Sequence, residues 1–287
     1  MRFSAQSWLI FWILFTLFAT SLGIEWKKLP DGLLHVVFLD VGQGDSELII
    51  TPEGKRFLVD GGPETTVLSR LDPYLPFFDR TIDGIILTHP HDDHLSGLID
   101  VLNRYQIKRV YLTGIAYSSP FYAEFLSQLK EKGIPTTLVT DKSDFLVSSG
   151  VKFDLFSVLD FSLQNKKLLE PNNTSAILRL SYGQKSFLLV GDAEMAAESV
   201  FLKNGKKLTA DVLKIGHHGS KTASSLAFLD SVHPKYAIIE VGTDNPFGHP
   251  HKETLEKLQK EKITPLLTSI SGSIHVVTYG KTVQIRF

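Results

Sequence analysis

The feature that most constrains this chain is a short cluster of metal-ligand side chains at residues 88–94, Thr-His-Pro-His-Asp-Asp-His. It directly follows the apolar run Ile85–Leu87, which is typical of a buried strand. Pro90 excludes a helix through the middle of the cluster, so we expect a loop at the end of that strand. Neutral imidazoles and carboxylates are the usual ligands of zinc in proteins, and they also suit manganese and iron. The cluster therefore predicts a metal site rather than a solvated polar turn.

The composition narrows the class of protein. The chain has 287 residues, which is enough for one large α/β domain with a substantial core. Its 30 basic and 31 acidic side chains nearly balance, so the total charge does not indicate a nucleic-acid binder, although a local basic groove is compatible with it. The chain has no cysteine, which excludes disulfides and thiolate ligands. Histidine and aspartate must therefore hold any metal.

The first 24 residues indicate export. Arg2 precedes an apolar run that begins at Trp8, and small residues follow that run before the polar Glu25. A positive start, an apolar centre and a small-residue exit are typical of a secretory signal peptide. Counted from Trp8 to Ile24, the run also reaches the lower limit for a membrane span. We predict that residues 1–24 are a signal peptide or an N-terminal membrane anchor, and that the remainder is secreted, periplasmic or at the cell surface.

Residues 33–287 alternate short β-rich apolar runs with helical patterns. The runs predict strands at 34–40 and 212–216, among others, and helices at 95–105 and 252–262. No linker rich in proline, glycine or serine separates the two halves, so we expect one domain. Two sets of strands, each with its own helices, predict two sheets packed face to face and covered outside by helices.

Later segments complete the first cluster with further ligand types at the ends of predicted elements. Asp192 ends a buried strand, where apolar surroundings would penalise a carboxylate that meets no cation. The pair His217 and His218 ends another strand, and His249 and His251 precede the last helix. Since the ends of neighbouring strands meet at one sheet edge, we expect these side chains to converge on a single site.

With these segments the chain resembles the metallo-β-lactamase superfamily. The similarity covers nearly all of residues 33–287 and rests on His-x-His-x-Asp-His after a strand, then Gly-Asp, then the histidine pair. The finer pattern is similar to the C-terminal hydrolase-like domain of the ComEC family of DNA-uptake proteins, through the segments 38–46, 87–94, 172–175, 216–220 and 247–251. The resemblance implies an α/β (α+β) fold, an αββα sandwich of two mixed sheets flanked by helices. The many membrane spans of ComEC are absent from this chain, so a channel function does not carry over.

The resemblance also implies a site for two divalent metal ions. One metal would be held by His89 and His91, and the second by Asp93 and His94. Asp192 would bridge the two metals, because a carboxylate has two oxygens to share. One of the paired histidines would complete the second metal, and His218 is the preferred one, with His217 left to the substrate.

One ligand of the superfamily pattern is missing. Many members place a further histidine on the first metal, but this chain has no histidine between His94 and His217. Asn172, Asn173 or Ser175 is the expected substitute. The metal is therefore expected to be zinc or manganese, with the choice left open.

Two such metals can share a hydroxide whose pKa is lowered toward neutrality, and they can stabilise the transition state of phosphodiester cleavage. Asp93 can orient that hydroxide as well as bind metal. His217 and His251, and also His249, are candidates for protonating the leaving oxygen. Lysines at 214 and 221 could offset phosphate charge, although a solvated loop lysine is an equal alternative for Lys221.

Two glycine-rich loops are open to two interpretations. Asp45 could hydrogen-bond a ligand histidine and fix its tautomer, or it could only hold its own turn. The same alternatives apply to Asp60. Gly42 and Gly44 permit backbone angles that would let their loop approach the metals.

These observations predict an exported or membrane-anchored metal-dependent hydrolase, a phosphodiesterase or DNA-degrading nuclease of the ComEC type. The substrate class is an analogy, since the superfamily also cleaves lactams, lactones and thioesters. One alternative is a small-molecule phosphodiesterase similar to phosphorylcholine esterase. Another is a surface binding module that keeps the metal for structure alone. Membrane contact is expected through the N-terminal segment.

Overall fold

The computed structural model describes residues 5–140, 143–148, 150–158 and 170–287. Arg2 of the predicted leader lies outside the described residues. Two large mixed sheets pack face to face, as the sequence predicts, and helices cover their outer faces.

The first sheet has eight strands in the order β17-β16-β1-β2-β3-β5-β7-β8. Pairing is antiparallel from β17 to β3 and parallel from β3 to β8. Its strands are β1 (Leu34–Phe38), β2 (Glu47–Ile50), β3 (Arg56–Val59), β5 (Gly84–Leu87), β7 (Val110–Leu112), β8 (Thr136–Leu138), β16 (Ile274–Thr278) and β17 (Val283–Arg286). A short parallel pair, β4 (Thr81–Ile82) and β6 (Gln106–Ile107), lies beside it.

The second sheet has seven strands in the order β15-β14-β13-β12-β11-β10-β9. Pairing is parallel from β15 to β12 and antiparallel from β12 to β9. Its strands are β9 (Ser143–Ser148), β10 (Val151–Phe156), β11 (Ile177–Tyr182), β12 (Lys185–Leu189), β13 (Val212–Lys214), β14 (Tyr236–Ile239) and β15 (Thr264–Leu267).

Eight α-helices complete the described part of the chain. They are α1 (Ala5–Trp26), α2 (Thr66–Leu71), α3 (Asp92–Arg104), α4 (Pro120–Glu131), α5 (Met195–Lys203), α6 (Leu226–Val232), α7 (Lys252–Lys260) and α8 (Thr268–Ser271). Of these, α1 is long and apolar enough to cross a membrane by length and composition, with a candidate span from Gln6 to Trp26.

Three hydrophobic layers hold the sandwich together. The central layer lies between the sheets and includes Phe38, Phe153 and Phe187, all fully buried. A second layer packs α2, α3 and α4 onto the first sheet, and a third packs α5, α6 and α7 onto the second sheet. At about 25 cal/mol per Å² of buried apolar area, these layers are the main source of stability.

The layers also place the candidate ligands. Strands β5 and β12 belong to different sheets, yet both end at the same edge of the sandwich, where the segments after them meet. The backbone joins the sheets there, since the Ala176 amide donates to the Thr88 carbonyl at 2.9 Å.

Candidate metal centre

The carboxylate of Asp192 is the centre of the site. Asp192 follows β12 and is 2% exposed. Four imidazole Nε2 atoms surround its Oδ2, at 3.4 Å for His94, 3.5 Å for His218, 3.9 Å for His217 and 4.0 Å for His89. Two of these histidines come from the first sheet and two from the second, so the site forms only when the sandwich closes.

The first cluster differs in one respect from the predicted loop. The loop ends at His91, and α3 begins at Asp92, three residues before the predicted start at residue 95. Carboxylates favour the first turn of a helix because the unpaired amides there carry partial positive charge. Asp93 and His94 therefore project from helical backbone, and Oδ2 of Asp93 lies 3.3 Å from Nε2 of His218. Nε2 of His89 lies 3.1 Å from Nδ1 of His91.

The histidine pair has unusual backbone geometry. Strand β13 ends at Lys214, earlier than predicted, and Gly216–Gly219 form a 3-10 turn. His217 and His218 both have positive φ, at 48° and 50°. Neighbouring side chains of an extended strand would face opposite sides, but this left-handed turn directs both rings to Asp192. Non-glycine residues in this region are uncommon, and they concentrate at functional sites.

Buried carboxylates fix the orientation of two rings. Oδ2 of Asp60 accepts a hydrogen bond from Nδ1 of His94 at 2.7 Å. Oδ1 of Asp45 lies 3.1 Å from Nδ1 of His218, whose ring also contacts the Glu240 carbonyl at 3.0 Å. In metal sites such partners set the tautomer, leaving the other nitrogen for the metal.

His217 has an equivalent partner that sequence reasoning missed. Its Nδ1 lies 3.1 Å from Oε1 of Glu194. The only sequence signal is that Glu194 follows Asp192 by two residues, beyond the end of a buried strand. Of the three expected substitutes for the missing histidine, Asn172 lies nearest a ligand ring, its amide 3.3 Å from Nδ1 of His217. Ser175 instead accepts from the Asp192 amide at 3.2 Å, and Asn173 accepts from the amides of Glu194 and Ala197.

Lys214 does not have the role that the sequence suggested. Its side chain is fully buried, forms an ion pair with Asp45 and donates to the Gly191 carbonyl at 2.9 Å. It also lies 3.6 Å from Oδ1 of Asp192. Because it lies behind the ligands, Lys214 balances the carboxylates of the site and cannot contact a substrate phosphate. Lys221 is exposed at the rim.

The glycine-rich loop after β1 packs directly on the start of α3. A Cβ at Gly44 would lie 2.2 Å from the Asp93 carbonyl oxygen, and the φ of Gly44 is positive. Only glycine fits this approach. The close packing lets the Asp45 amide donate to the same carbonyl at 3.3 Å, which positions Asp45 under the ligands.

Without a metal, protons balance the charge of the site. Burial opposes charge on His218, but the Asp192 and Asp45 carboxylates outweigh it and raise the pKa of His218 to about 10. The pKa of His94 is also raised well above its usual value, against burial, chiefly by Asp192. Burial would raise the pKa of Asp192, yet the His218 and His94 rings hold that pKa well below its usual value. A cation would take the place of these protons.

The donor set fits divalent metal. Asp45, His94, Asp192 and His218 offer ligand atoms within 4.8 Å of one another, and Asp60, His89 and His94 form a second such group. Nε2 of His94, Nε2 of His218 and Oδ1 of Asp192 are buried without a hydrogen-bond partner among the described residues. Buried polar atoms normally have partners, so these unsatisfied atoms are what a metal site requires.

A rim of further rings surrounds the centre. The ring of His249 lies 5.5 Å from that of His217 and 4.8 Å from that of His251. Burial, followed by the neighbouring imidazoles, lowers the pKa of His249 to about 4, so this ring is neutral at pH 7 and does not carry the extra proton that a general acid needs. Nδ1 of His251 accepts from the Lys221 amide at 3.1 Å, which leaves Nε2 available. Phe247 is 60% exposed and stacks on His249.

The sequence model of the metallo-beta-lactamase superfamily matches residues 39–242. The chain belongs to this superfamily. The matched range contains all the metal-ligand candidates, so the resemblance stated from their motifs is confirmed. Among solved structures, the metallo-beta-lactamase fold protein YhfI from Bacillus subtilis aligns with a TM-score of 0.58, covering 86% of this chain and 100% of that protein. At 13% identity, this likeness supports the fold alone.

Curated relatives place the chain beside ComEC-type proteins linked to competence. ComE operon protein 3 of Bacillus subtilis is 30% identical over 257 residues, covering 84% of this chain and 32% of that protein. Recombination protein 2 of Haemophilus influenzae is 31% identical over 264 residues, covering 91% of this chain and 31% of that protein. The chain thus spans about a third of the length of these relatives. This chain is a metal-dependent hydrolase with the metallo-β-lactamase fold, related to competence proteins.

Proposed function

We propose that this protein is a membrane-anchored, exported phosphodiesterase that degrades DNA. The observation that carries the proposal is the convergence of four imidazoles on Oδ2 of Asp192, with unsatisfied buried donor atoms around it. Residues 33–287 form the hydrolase domain, and the N-terminal segment 1–24 serves as the anchor.

The ligand roles follow from the contacts. His89 and His91 would hold the first metal, while Asp93, His94 and His218 would hold the second. Asp192 would serve both, because its Oδ2 lies between imidazoles of both groups. Two divalent ions, zinc or manganese, would lower the pKa of bound water toward neutrality and stabilise charge at phosphorus.

His217 fits the position of the missing imidazole. The sequence left this residue to the substrate, but its Nε2 lies 3.9 Å from Oδ2 of Asp192, compared with 4.0 Å for His89. Glu194 and Asn172 hold the ring in that direction. The geometry therefore favours His217 as the third imidazole of the first metal over a role as proton donor.

Proton transfer falls to two other residues. Asp93 has a carboxylate that is 35% exposed toward the opening, so it can orient the attacking water as well as bind metal. His251 stands at the rim with Nε2 available, where it can protonate the leaving oxygen. The neutral His249 between the rings can hydrogen-bond a substrate but does not supply the proton.

Two features support a nucleic-acid substrate. The exposed Phe247 and the half-buried Tyr117, whose ring lies 5.4 Å from that of His91, offer flat surfaces beside the candidate metal centre on which bases can stack. One relative is named for recombination, which is a reaction of DNA. Both observations favour a strand of nucleic acid over a small phosphodiester.

The test compares metal content and turnover of the purified full chain with Asp192→Asn. After chelation, the chain is resupplied with Zn²⁺ or Mn²⁺ and assayed on single-stranded DNA, bis-p-nitrophenyl phosphate and an ester. We expect DNA cleavage by the parent, and loss of at least one metal and of most activity in the variant, with far-UV circular dichroism unchanged. Asp230→Asn, an exposed carboxylate on α6, is the matched control. Unchanged metal and turnover in Asp192→Asn would remove Asp192 from the site, and cleavage of the ester alone would refute the phosphodiester assignment.

A further inference from the structure

The end of α1 is bound to the hydrolase domain by polar contacts. Glu25 is only 8% exposed, although it lies at the end of an otherwise exposed apolar helix. Its Oε2 accepts a hydrogen bond from the Phe77 amide at 2.9 Å, and its Oε1 pairs with Lys28 at 2.7 Å. These contacts fix the loop that contains Phe77 and Phe78 beside the point where α1 leaves the domain.

That loop exposes large aromatic rings. Phe77 is 68% exposed and Phe78 is 59% exposed, and Trp26 at the end of α1 is 73% exposed. The two phenylalanine rings contact each other edge to face, with centroids 5.5 Å apart. Side chains of this kind favour the boundary between lipid and water, where an apolar ring can leave bulk water.

Cations lie beside these rings. Lys28, Arg80 and Arg104 line a cavity of about 310 Å³, to which Phe77 also contributes. Asp72 is the one carboxylate in its lining, and the buried Tyr105 lies at its side. Lys28 is already neutralised by its ion pair with Glu25, so the exposed Arg80 and Arg104 are the cations that can bind the phosphate groups of a membrane surface.

The candidate metal centre lies at the other end of the same elements. Arg80 and Asp83 precede β5, whose far end leads to His89. Arg104 ends α3, which begins at Asp92 beside the site. At 1.5 Å per residue, the 13 residues of α3 separate the two ends by about 20 Å.

We propose that Trp26, Phe77 and Phe78, together with the cations Arg80 and Arg104, form a docking face for the headgroup layer of an anionic bilayer. The metal centre then opens away from that bilayer, about 20 Å from the docking face. This inference rests on the proposed anchoring by α1, and it adds a second, electrostatic contact that fixes the orientation of the domain.

The absence of cysteine from the chain makes a direct test simple. Phe78→Cys and Phe247→Cys carry a fluorescent label at positions of matched exposure, 59% and 60%, at opposite ends of the domain. The full chain is reconstituted into vesicles of phosphatidylcholine, with or without phosphatidylglycerol, that contain a lipid-borne quencher. We expect strong quenching at position 78, more with phosphatidylglycerol, and little at position 247.

Two outcomes would overturn the proposal in distinguishable ways. If the chain stays with the vesicles after alkaline washing but position 78 is quenched no more than position 247, the docking face is wrong and the anchor stands. If the chain does not associate with vesicles, the anchoring fails and the docking face fails with it. The DNA assay of the parent chain is independent of both outcomes.

The charge contribution has its own control. Arg80→Gln with Arg104→Gln removes two cations from the face, while Lys221→Gln with Lys252→Gln removes two exposed cations at the end near the metal centre. At about five-fold for each cation near an anionic surface, the first pair should lower the ratio of docked to undocked chains roughly 25-fold. The control pair should change that ratio less than about two-fold. An equal effect of both pairs would refute the assignment of these cations.

Discussion

The buried pair of Lys214 and Asp45 provides the sharpest test of how the site is held. Both side chains are 0% exposed, and they come from different sheets. Removal of one partner from such a pair leaves an uncompensated buried charge, which typically costs about 3–5 kcal/mol. We therefore expect Lys214→Met to lower the free energy of unfolding by that amount when metal is chelated.

An exposed pair supplies the comparison. Lys108 lies 2.6 Å from Asp83, but its side chain is 62% exposed. Lys108→Met should cost less than about 1 kcal/mol, because water already solvates the lysine ammonium. The difference between the two lysine variants measures the effect of burial on one type of ion pair.

The assay is urea unfolding in detergent micelles, followed by far-UV circular dichroism, for the parent and the variants Lys214→Met, Asp45→Asn and their combination. We expect the double variant to lose less than the sum of the singles, with a coupling of about 2–3 kcal/mol. The stability loss that remains in the double variant reflects His218, because its Nδ1 no longer has the Asp45 carboxylate as a partner. Additive losses, or a cost of Lys214→Met no larger than that of Lys108→Met, would refute the reasoning.

Three further predictions concern the histidines. His217→Ala and His218→Ala should each lower the metal content at limiting metal, since both Nε2 atoms approach Asp192. If His217→Ala has full metal content at excess metal but still turns over slowly, that ring is a proton donor instead. Asp60→Asn should weaken metal affinity about 10–100-fold in a chelator competition, because His94 loses the acceptor that orients it, whereas an unchanged affinity would show that packing alone holds the ring. Burial, the largest cause, lowers the pKa of His275 from 6.5 to about 4 in the folded chain, so stability should fall as pH decreases through this window. We expect a loss of about 1 kcal/mol between pH 7 and pH 5 that His275→Gln largely removes, and an equal loss in that variant would exclude His275 as the cause.

The convergence of the candidate ligands could be predicted from the sequence because these residues are concentrated in short segments. His89, His91, Asp93 and His94 lie within six residues, directly after an apolar strand, so their convergence needs little knowledge of the fold. The two-sheet sandwich followed from alternating apolar runs, and the comparisons confirm it. Element ends were less predictable, as the early start of α3 shows, because capping depends on a few local interactions.

Contacts between distant segments could not be predicted. The sequence predicts only that Glu25 is the polar end of a leader. Its hydrogen bond to the Phe77 amide joins residues that are 52 positions apart, so it is seen only in the folded chain. The left-handed pair His217 and His218 is likewise invisible to strand periodicity. Backbone angles of this kind are imposed by surrounding packing rather than by the residues that adopt them.

Lys214 shows most clearly why charge must be considered in three dimensions. Lysine is almost never fully buried unless it is paired, so a lysine beside a histidine motif is expected to face solvent. In that position it would suggest phosphate binding. Its partner Asp45 is 169 positions away, and Glu47 and Glu240 nearby have pKa values raised far above the usual range, chiefly by burial. Burial thus disfavours charge on those two carboxyls, so Lys214 chiefly balances Asp45 and Asp192. Lys214 thus keeps the carboxylates at the site ionised in the metal-free protein. Metal binding then has to displace only the protons on His94 and His218.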